Sequence, residues 1–421
     1  MKNTSTMSNQ SEPLRILILC SLGGALEFFD FIIFALMAKQ IAIIFFPNQN
    51  EFNALLTTFS TFAIGYMARP LGGIILGHFG DRYGRKKTFT FSILLMAGST
   101  FAIGLLPTYA QIGVFAPLML VFFRLLQGLS IGGEIPGAIT YMSEYWPNRK
   151  GLCIGVIFFC LQLGIALGFL MYSFIINYLT IDDTLQWGWR LPFLMGGLFG
   201  CLAYFLRKKL LESPSFIPFI TKETHFPLLY LFKHFKRQFI ISTLFMACAG
   251  LPLTLLFILL PTYLQTALTV NSENLNTQTL AMLFTAFCSL IGGIISDKVN
   301  RIKLAGLFIV AEFILSIPIF YIYITHINWM IMAYFLSAIL VGLALGNIPG
   351  LLPELFPPKV RFSAIGLSYN LGIGVVTALA PLVLLTGIQT FHTPYFPAYL
   401  LIGNSVIMLL TLTYFIQKQG R

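Results

Sequence analysis

The chain has 421 residues, 57% of them hydrophobic and only 10% charged, with a mean hydropathy of +0.84. No soluble domain of this length shows that balance. The net charge of +11 would suit a nucleic-acid binder only if it were displayed on a polar surface, and here its placement follows the membrane topology.

Apolar windows long enough to span a bilayer, about 17 to 25 residues each, lie near 16–46, 52–77, 88–106, 115–143, 151–178 and 189–209, and then near 238–265, 277–297, 303–324, 328–352, 361–386 and 394–417. Segments of this length satisfy their backbone groups in lipid only as helices. The expected fold is therefore all-α and integral to the membrane, with helices 1 to 12. Of the 26 Lys and Arg, 22 fall on one side of this map: at Lys2 and Arg15, Arg82 to Lys87, Arg149 and Lys150, seven between Arg207 and Arg237, Lys298 to Lys303, Lys359 and Arg361, and Lys418 and Arg421. The opposite loops, such as 47–51, 178–188 and 266–276, carry none. This positive-inside pattern puts both termini in the cytoplasm and removes nucleic acid as a partner. The first window is too long for a cleavable signal peptide and has acids in its middle, so it is expected to be retained as helix 1. Six cysteines, at 20, 153, 160, 201, 248 and 288, have no metal-ligand or redox spacing and read as small core residues.

The longest loop, 210–237, holds Pro214, Pro218 and Pro227 and divides an N-terminal tail (1–15) and six-helix half (16–209) from a second six-helix half (238–417) and a short end (418–421). The halves echo each other. Gly77-His-Phe-Gly-Asp81-Arg82-Tyr-Gly84-Arg85-Lys86 joins helices 2 and 3, and Gly293-Ile-Ile-Ser-Asp297-Lys298-Val-Asn300-Arg301 joins helices 8 and 9. Glu144-Tyr-Trp-Pro147 after helix 4 recurs as Glu354-Leu-Phe-Pro357 after helix 10, 210 residues on. Duplicated halves with a site between them at the bilayer midplane are a transporter architecture. In the first loop Gly84 permits a tight turn, and Asp81, Arg82, Arg85 and Lys86 are expected to form a charge-assisted network that holds one state and releases in another. In the second, Asn300 is expected to supply the left-handed backbone that Gly84 supplies in the first.

These loops, together with Arg124-Leu-Leu-Gln127-Gly128-Leu-Ser-Ile-Gly132 in helix 4, resemble the two signatures of the major facilitator superfamily. Glu27-Phe-Phe-Asp30-Phe, Arg69-Pro-Leu-Gly-Gly, Gly132-Gly-Glu134 and Trp187-Gly-Trp-Arg190-Leu-Pro-Phe resemble more narrowly its metabolite:proton symporter branch, which includes proline/betaine, citrate, α-ketoglutarate and shikimate carriers. The resemblance implies twelve helices in two pseudo-symmetric halves in a bacterial inner membrane, and a secondary transporter acting as a monomer on a proton and a small carboxylate or zwitterion. Ile135-Pro136-Gly137 departs from the branch, and no long C-terminal coiled coil follows helix 12, so an osmosensing role is not expected.

The charges left inside the membrane are Glu27, Asp30, Lys39, Arg69, Arg124, Glu134, Arg190 and Glu312. Each costs roughly 2.5 to 3.5 kcal/mol at a helix centre on the mildest scale, so each needs a partner, water or a proton. Glu27 and Asp30, three apart, share a helix face about 4.5 Å apart along the axis; two like charges that close are expected to raise one proton affinity, and Asp30 is the favoured proton carrier, with Glu134 a further candidate. Arg124 and Glu134 are about 15 Å apart along helix 4, so Arg124 is expected to face the helix 1 acids and to exchange them for a substrate carboxylate, which links binding to protonation. Arg69 is a second candidate anion contact and Arg190 a third, the latter weighed against an interfacial anchor beside Trp187 and Trp189. Tyr66, Tyr141, Asn347, Tyr369 and Asn370 are candidate lining residues; Lys39 is expected to snorkel and Glu312 to be structural.

Gly72-Gly73, Gly196-Gly197 and Gly164-x-x-x-Gly168 read as helix-packing sites and not phosphate cradles. No nucleotide loop, metal cluster or nucleophile triad is legible, so no cofactor and no enzymatic activity are expected and a gradient must supply the energy. An antiporter or exporter of the same fold is the first alternative, disfavoured because Gly164-Ile-Ala-Leu-Gly168-Phe lacks the Gly-Pro step of such antiporters. A membrane sensor with purely structural charge pairs is the second.

Overall fold

The computed structural model describes residues 8–208, 227–260, 263–264, 275–326 and 329–419. Twelve helices among them are long and apolar enough to cross a membrane: α1 (Ile16–Leu36), α2 (Asn53–Tyr83), α3 (Arg85–Leu105), α4 (Phe115–Tyr145), α5 (Pro147–Tyr178), α6 (Ile181–Arg207), α7 (Lys236–Ile258), α8 (Thr277–Ser296), α9 (Arg301–Thr325), α10 (Met330–Leu355), α11 (Pro358–Ala380) and α12 (Phe396–Gln417). The large apolar side chains that remain exposed, such as Met67, Phe115 and Leu307, form the surface that lipid covers. Most of the linker loop lies outside the described residues; its last part is a short helix, Pro227–His234.

Packing repeats with an offset of six helices. In the first six, α1 packs on α5, α2 on α4 and α3 on α6; in the last six, α7 packs on α11, α8 on α10 and α9 on α12. The two sets meet where α2 crosses α11 and α5 crosses α8. Small residues make both crossings close: a Cβ on Gly73 would stand 2.8 Å from the Gly366 carbonyl oxygen, and one on Gly293 would stand 2.3 Å from that of Gly151. Of the apolar window of α1, 72% is buried, as is that of α7, against 28% for α9. Helices 1 and 7 therefore run through the interior and α9 lies at the periphery.

Two irregularities bear on the site. Helix 7 passes into a π-helical turn at Thr254–Ile258 and α11 into one at Asn370–Gly374, and such turns re-aim side chains where function needs it. Proline inside α4 leaves the helix continuous. Pro136 has no N–H for the Gly132 carbonyl, and the Asn370 side-chain amide from α11 donates to that carbonyl at 2.8 Å instead.

Candidate functional site

Three acids of the first six helices each face an arginine. Glu27 on α1 pairs with Arg69 on α2 at 2.5 Å, Asp30 on α1 with Arg124 on α4 at 3.3 Å, and Glu134 on α4 with Arg207 on α6 at 2.5 Å. All six are buried. The pattern follows from helix geometry. Glu27 and Asp30 are three positions apart, a turn of about 300°, so the carboxyls rise from neighbouring positions on one face and reach different helices. Arg124 faces Asp30 as the spacing predicts, and Glu27 is met by Arg69, so each acid of α1 has its own counter-ion.

The Asp30 cluster is the more elaborate. Gln127, one turn after Arg124, donates to Asp30 Oδ2 at 2.8 Å, lies 2.8 Å from the Thr100 hydroxyl and accepts from Arg124 at 2.9 Å. The Arg124 guanidinium stacks 3.5 Å from the Phe34 ring centroid. Gln127 stands in the quoted helix 4 motif at i+3 from Arg124, a spacing that puts both on one face, and sequence reasoning still passed it over.

Arg207 is the larger omission. Counted among the loop cations, it is wholly buried: it donates to the carbonyls of Leu19 (3.0 Å) and Cys20 (2.8 Å), stacks on Phe89, and pairs with Glu134, which also accepts from Ser92 at 2.9 Å. The signal available in the sequence was Glu134 itself, a membrane acid that Arg124 on the same helix could not reach.

Arg69 occupies the position of most interest. It lines a cavity bounded by Phe28, Tyr66, Phe158 and Gln162 from the first six helices and by Thr254 and Tyr369 from the last six. Its free volume is about 20 Å³, room for a water and little more. Several polar atoms of this lining are buried without a hydrogen-bond partner: Arg69 Nε, Gln162 Oε1 and the Tyr369 hydroxyl. Unsatisfied buried groups of this kind cost about 1–3 kcal/mol each, and their convergence marks a polar centre in an otherwise apolar space. The Arg69 guanidinium also lies 5.0 Å from the Tyr66 ring centroid.

Other candidates stand elsewhere. Arg190 caps the end of α3, donating to the carbonyls of Gly104 (3.0 Å) and Leu106 (2.6 Å) over the Trp189 ring, away from the cavity. Tyr141 stacks on Tyr145 at the loop end of α4. Asn347 donates to the Arg301 carbonyl at 3.1 Å, and Asn370 serves the α4 carbonyl described above. Tyr66 and Tyr369 line the cavity.

On the side that carries the basic loops, the repeated motifs interlock. Asp81 accepts the backbone N–H groups of Phe362 (3.3 Å) and Ser363 (2.8 Å) at the start of α11; Asp297 accepts those of Gly151 (2.7 Å) and Leu152 (2.8 Å) near the start of α5. An acid from each set thus caps a helix of the other, where the helix dipole favours it. Arg85 pairs with Glu144 and donates to the Pro358 carbonyl at 2.7 Å, while Arg361 reaches Glu144 at 2.8 Å. In the second copy Arg301 pairs with Asp297 at 2.7 Å and with Glu354, which Lys150 approaches at 3.9 Å. Gly77 stands where a Cβ would meet the Ser363 Cα at 2.9 Å.

Gly84 has φ 113°, as the turn requires. Asn300 does not copy it: its φ is −59°, and its side chain instead caps α9, accepting from Ile302 (3.0 Å) and Lys303 (3.2 Å). The expectation of left-handed backbone there fails because an Asn in extended backbone is already a strong N-cap. Arg82 is exposed and lies over the Tyr83 ring at 5.2 Å.

The sequence matches the Major Facilitator Superfamily over residues 20–381. It is 30% identical to a putative proline/betaine transporter of Staphylococcus aureus (strain COL), covering 98% of this chain and 90% of that one. It is also 30% identical to the proline/betaine transporter of Escherichia coli (strain K12), covering 96% and 84%. Among solved structures, the proton:xylose symporter XylE shares the fold with a TM-score of 0.75 at 15% identity, over 97% of this chain and 96% of that one. With twelve helices among the described residues long and apolar enough to cross a bilayer, this multi-pass membrane transporter belongs to the Major Facilitator Superfamily.

Proposed function

We propose that this protein imports a small carboxylate-bearing zwitterion, proline or a betaine, together with a proton, by alternating access across a bacterial inner membrane with both termini in the cytoplasm. The observation that carries the reading is the position of Arg69: it holds Glu27 and at the same time lines the cavity shared by both sets of six helices. A substrate carboxylate entering that cavity competes with Glu27 for the guanidinium, whose planar fork suits a carboxylate and which does not give up its charge. Glu27, released, takes a proton, because an isolated carboxylate there is too costly to leave ionised. Substrate and proton then bind as a linked pair. The aromatic walls, Phe28, Tyr66, Phe158 and Tyr369, suit the cationic end of the zwitterion.

This reading moves the exchanging proton from Asp30 to Glu27. Asp30 Oδ2 is held by both Arg124 and Gln127, and Arg124 does not line the shared cavity; the cluster suits a positioning role beside the exchanging pair. The interlocked motifs close the basic-loop side, so the geometry supports a state sealed toward the cytoplasm, with release requiring Asp81 and Asp297 to leave their helix ends. The names of the relatives support the substrate class.

Purified protein in proteoliposomes, given an imposed proton gradient and radiolabelled proline or glycine betaine, tests the reading. Concentrative uptake that collapses with the gradient is expected, and Glu27→Gln should lose accumulation while still exchanging preloaded substrate. Uptake indifferent to the gradient, or a Glu27→Gln protein that accumulates normally, would rule the mechanism out.

A further inference from the structure

Glu312 on α9 is the one acid of the membrane interior that meets an amide where the others meet arginine. Asn404 of α12 donates to its Oε1 at 3.0 Å, and among the described residues no Lys, Arg or His lies within ion-pair distance of it. The same Asn404 amide nitrogen also donates, at 3.0 Å, to the backbone carbonyl of Cys248 on α7. That carbonyl is available for a reason: four residues on stands Pro252 inside α7, which has no N–H to return. One side chain therefore bridges a membrane carboxyl and the carbonyl that Pro252 leaves without an N–H in α7.

Glu312, half-buried, and Cys248 line a small pocket of about 20 Å³ between α7, α9, α10 and α12, with Asn404 just outside its lining. Its walls are otherwise apolar apart from Ser316, whose hydroxyl donates to the Glu312 carbonyl oxygen of its own helix. From α7 there is the Cys248 thiol, the one other titratable group of the lining; from α12, Asn404 beyond it and Leu401 and Met408; from α10, only apolar side chains such as Leu340 and Ala344. A cavity with room for a single water cannot hydrate an ionised carboxylate.

Just past Pro252, α7 enters its π-helical turn, and Gly250, Leu253, Thr254 and Ile258 of this helix line the central cavity. Thr254 there meets Thr377 of α11 at 3.2 Å. The bridge at Glu312 is thus joined, through one helix, to the wall of the proposed substrate site.

We propose that Glu312, Asn404 and the Cys248 carbonyl form a proton-binding site in the last six helices, whose occupancy sets the position of α7 beside the central cavity. With the proton on, the neutral acid accepts from Asn404 and the compact arrangement described here is satisfied. With the proton off, the carboxylate requires water and a second donor, which the cavity supplies only if α7 moves away from α9 and α12. The consequence for transport rests on the proposed function; the protonation itself does not.

Infrared titration of the protein in lipid nanodiscs separates the two. Wild type is expected to show a protonated-carboxyl band at neutral pH that disappears reversibly under alkaline conditions, that Glu312→Gln lacks, and that Asn404→Leu shifts in frequency. Glu312→Asp, which retains the acid, should restore a titrating band, and covers the case in which the glutamine variant folds poorly. In the uptake assay, Glu312→Gln should flatten the pH dependence of the rate while leaving substrate binding within twofold of wild type. Carboxyl bands identical in wild type and Glu312→Gln would overturn the proposal, as would a band present at every pH. Failure of uptake in both proteins would count against the transport reading and leave the infrared result to decide the site.

Discussion

The first six helices and the last six share one packing plan and differ in what they bury. In the first, Glu27, Asp30 and Glu134 each sit opposite an arginine. In the last, the membrane interior holds a single acid, Glu312, opposite an asparagine, and the cavity wall is made of Thr254, Tyr369, Thr377 and apolar side chains. Packing depends on volume and on small residues at crossings, and both survive duplication. Charge does not have to be duplicated to keep the fold, so one set of helices can hold the ion pairs while the other supplies wall and hinge. At the basic-loop end, where the two sets must hold each other in turn, the charges are repeated: Asp81 matches Asp297, Arg85 matches Arg301, and Glu144 matches Glu354.

Four experiments would break or sharpen that contrast. The largest effect is expected at Arg69. Arg69→Ala leaves Glu27 buried without its counter-ion, a change worth about 3–5 kcal/mol, and should both lower the thermal midpoint and reduce proline or betaine uptake at least tenfold. The double variant Glu27→Gln/Arg69→Gln should regain most of the midpoint and none of the uptake; recovery of uptake would take the pair out of the mechanism.

Next comes the pair without access to the cavity. Glu134→Ala and Arg207→Ala should each destabilise by a similar ~3–5 kcal/mol, because each strands a buried charge, and Glu134→Gln/Arg207→Met should be far milder than either. Substrate affinity of that double variant, measured by scintillation proximity, should stay near wild type. A large loss of affinity there would extend the functional charges beyond Arg69.

The repeated motifs predict a symmetric result. Asp81→Asn and Asp297→Asn each weaken the capping of a helix end on the opposite set, about 0.3–2 kcal/mol apiece, and should raise the labelling of single cysteines placed on the basic-loop side of α5 or α11. Equal increases would support a gate built from two equivalent halves. An effect confined to Asp81 would show that the second copy is only structural.

The smallest effect is expected at Arg190. Arg190→Gln removes bonds to the Gly104 and Leu106 carbonyls and should cost about 1 kcal/mol of stability with uptake kinetics unchanged. A selective loss of substrate affinity would return it to the binding site.

The course of the chain was readable because hydropathy and charge act locally. Twelve windows, the loops free of Lys and Arg, and the echoed Asp81 and Asp297 segments need no knowledge of which helix touches which. The boundaries shifted where charge misled: the second window stops at 77, whereas α2 continues through Asp81 to Tyr83, because Asp81 has Arg85 at 3.8 Å and accepts the N–H groups of Phe362 and Ser363, which only the folded chain brings near. Arg207 was misread for the same reason. Beside Lys208 and Lys209 it looks like a solvated loop end, and its true partners, two carbonyls of α1 and Glu134 of α4, are distant in the chain.

Sequence alone therefore determined the membrane class, the twelve helices, the duplication and the identity of nearly every interior charge, since each of these follows from the cost of placing a given side chain in hydrocarbon. Tertiary structure decided the pairing. Helical spacing put Glu27 and Asp30 on one face, but only the crossing of α1 with α2 and α4 sends one to Arg69 and the other to Arg124. It likewise brought the amides of Asn370 and Asn404, from other helices, to the carbonyls of Gly132 and Cys248, which Pro136 and Pro252 leave without a helical N–H. Those partners lie 238 and 156 residues away in the chain, and no local rule of spacing reaches that far.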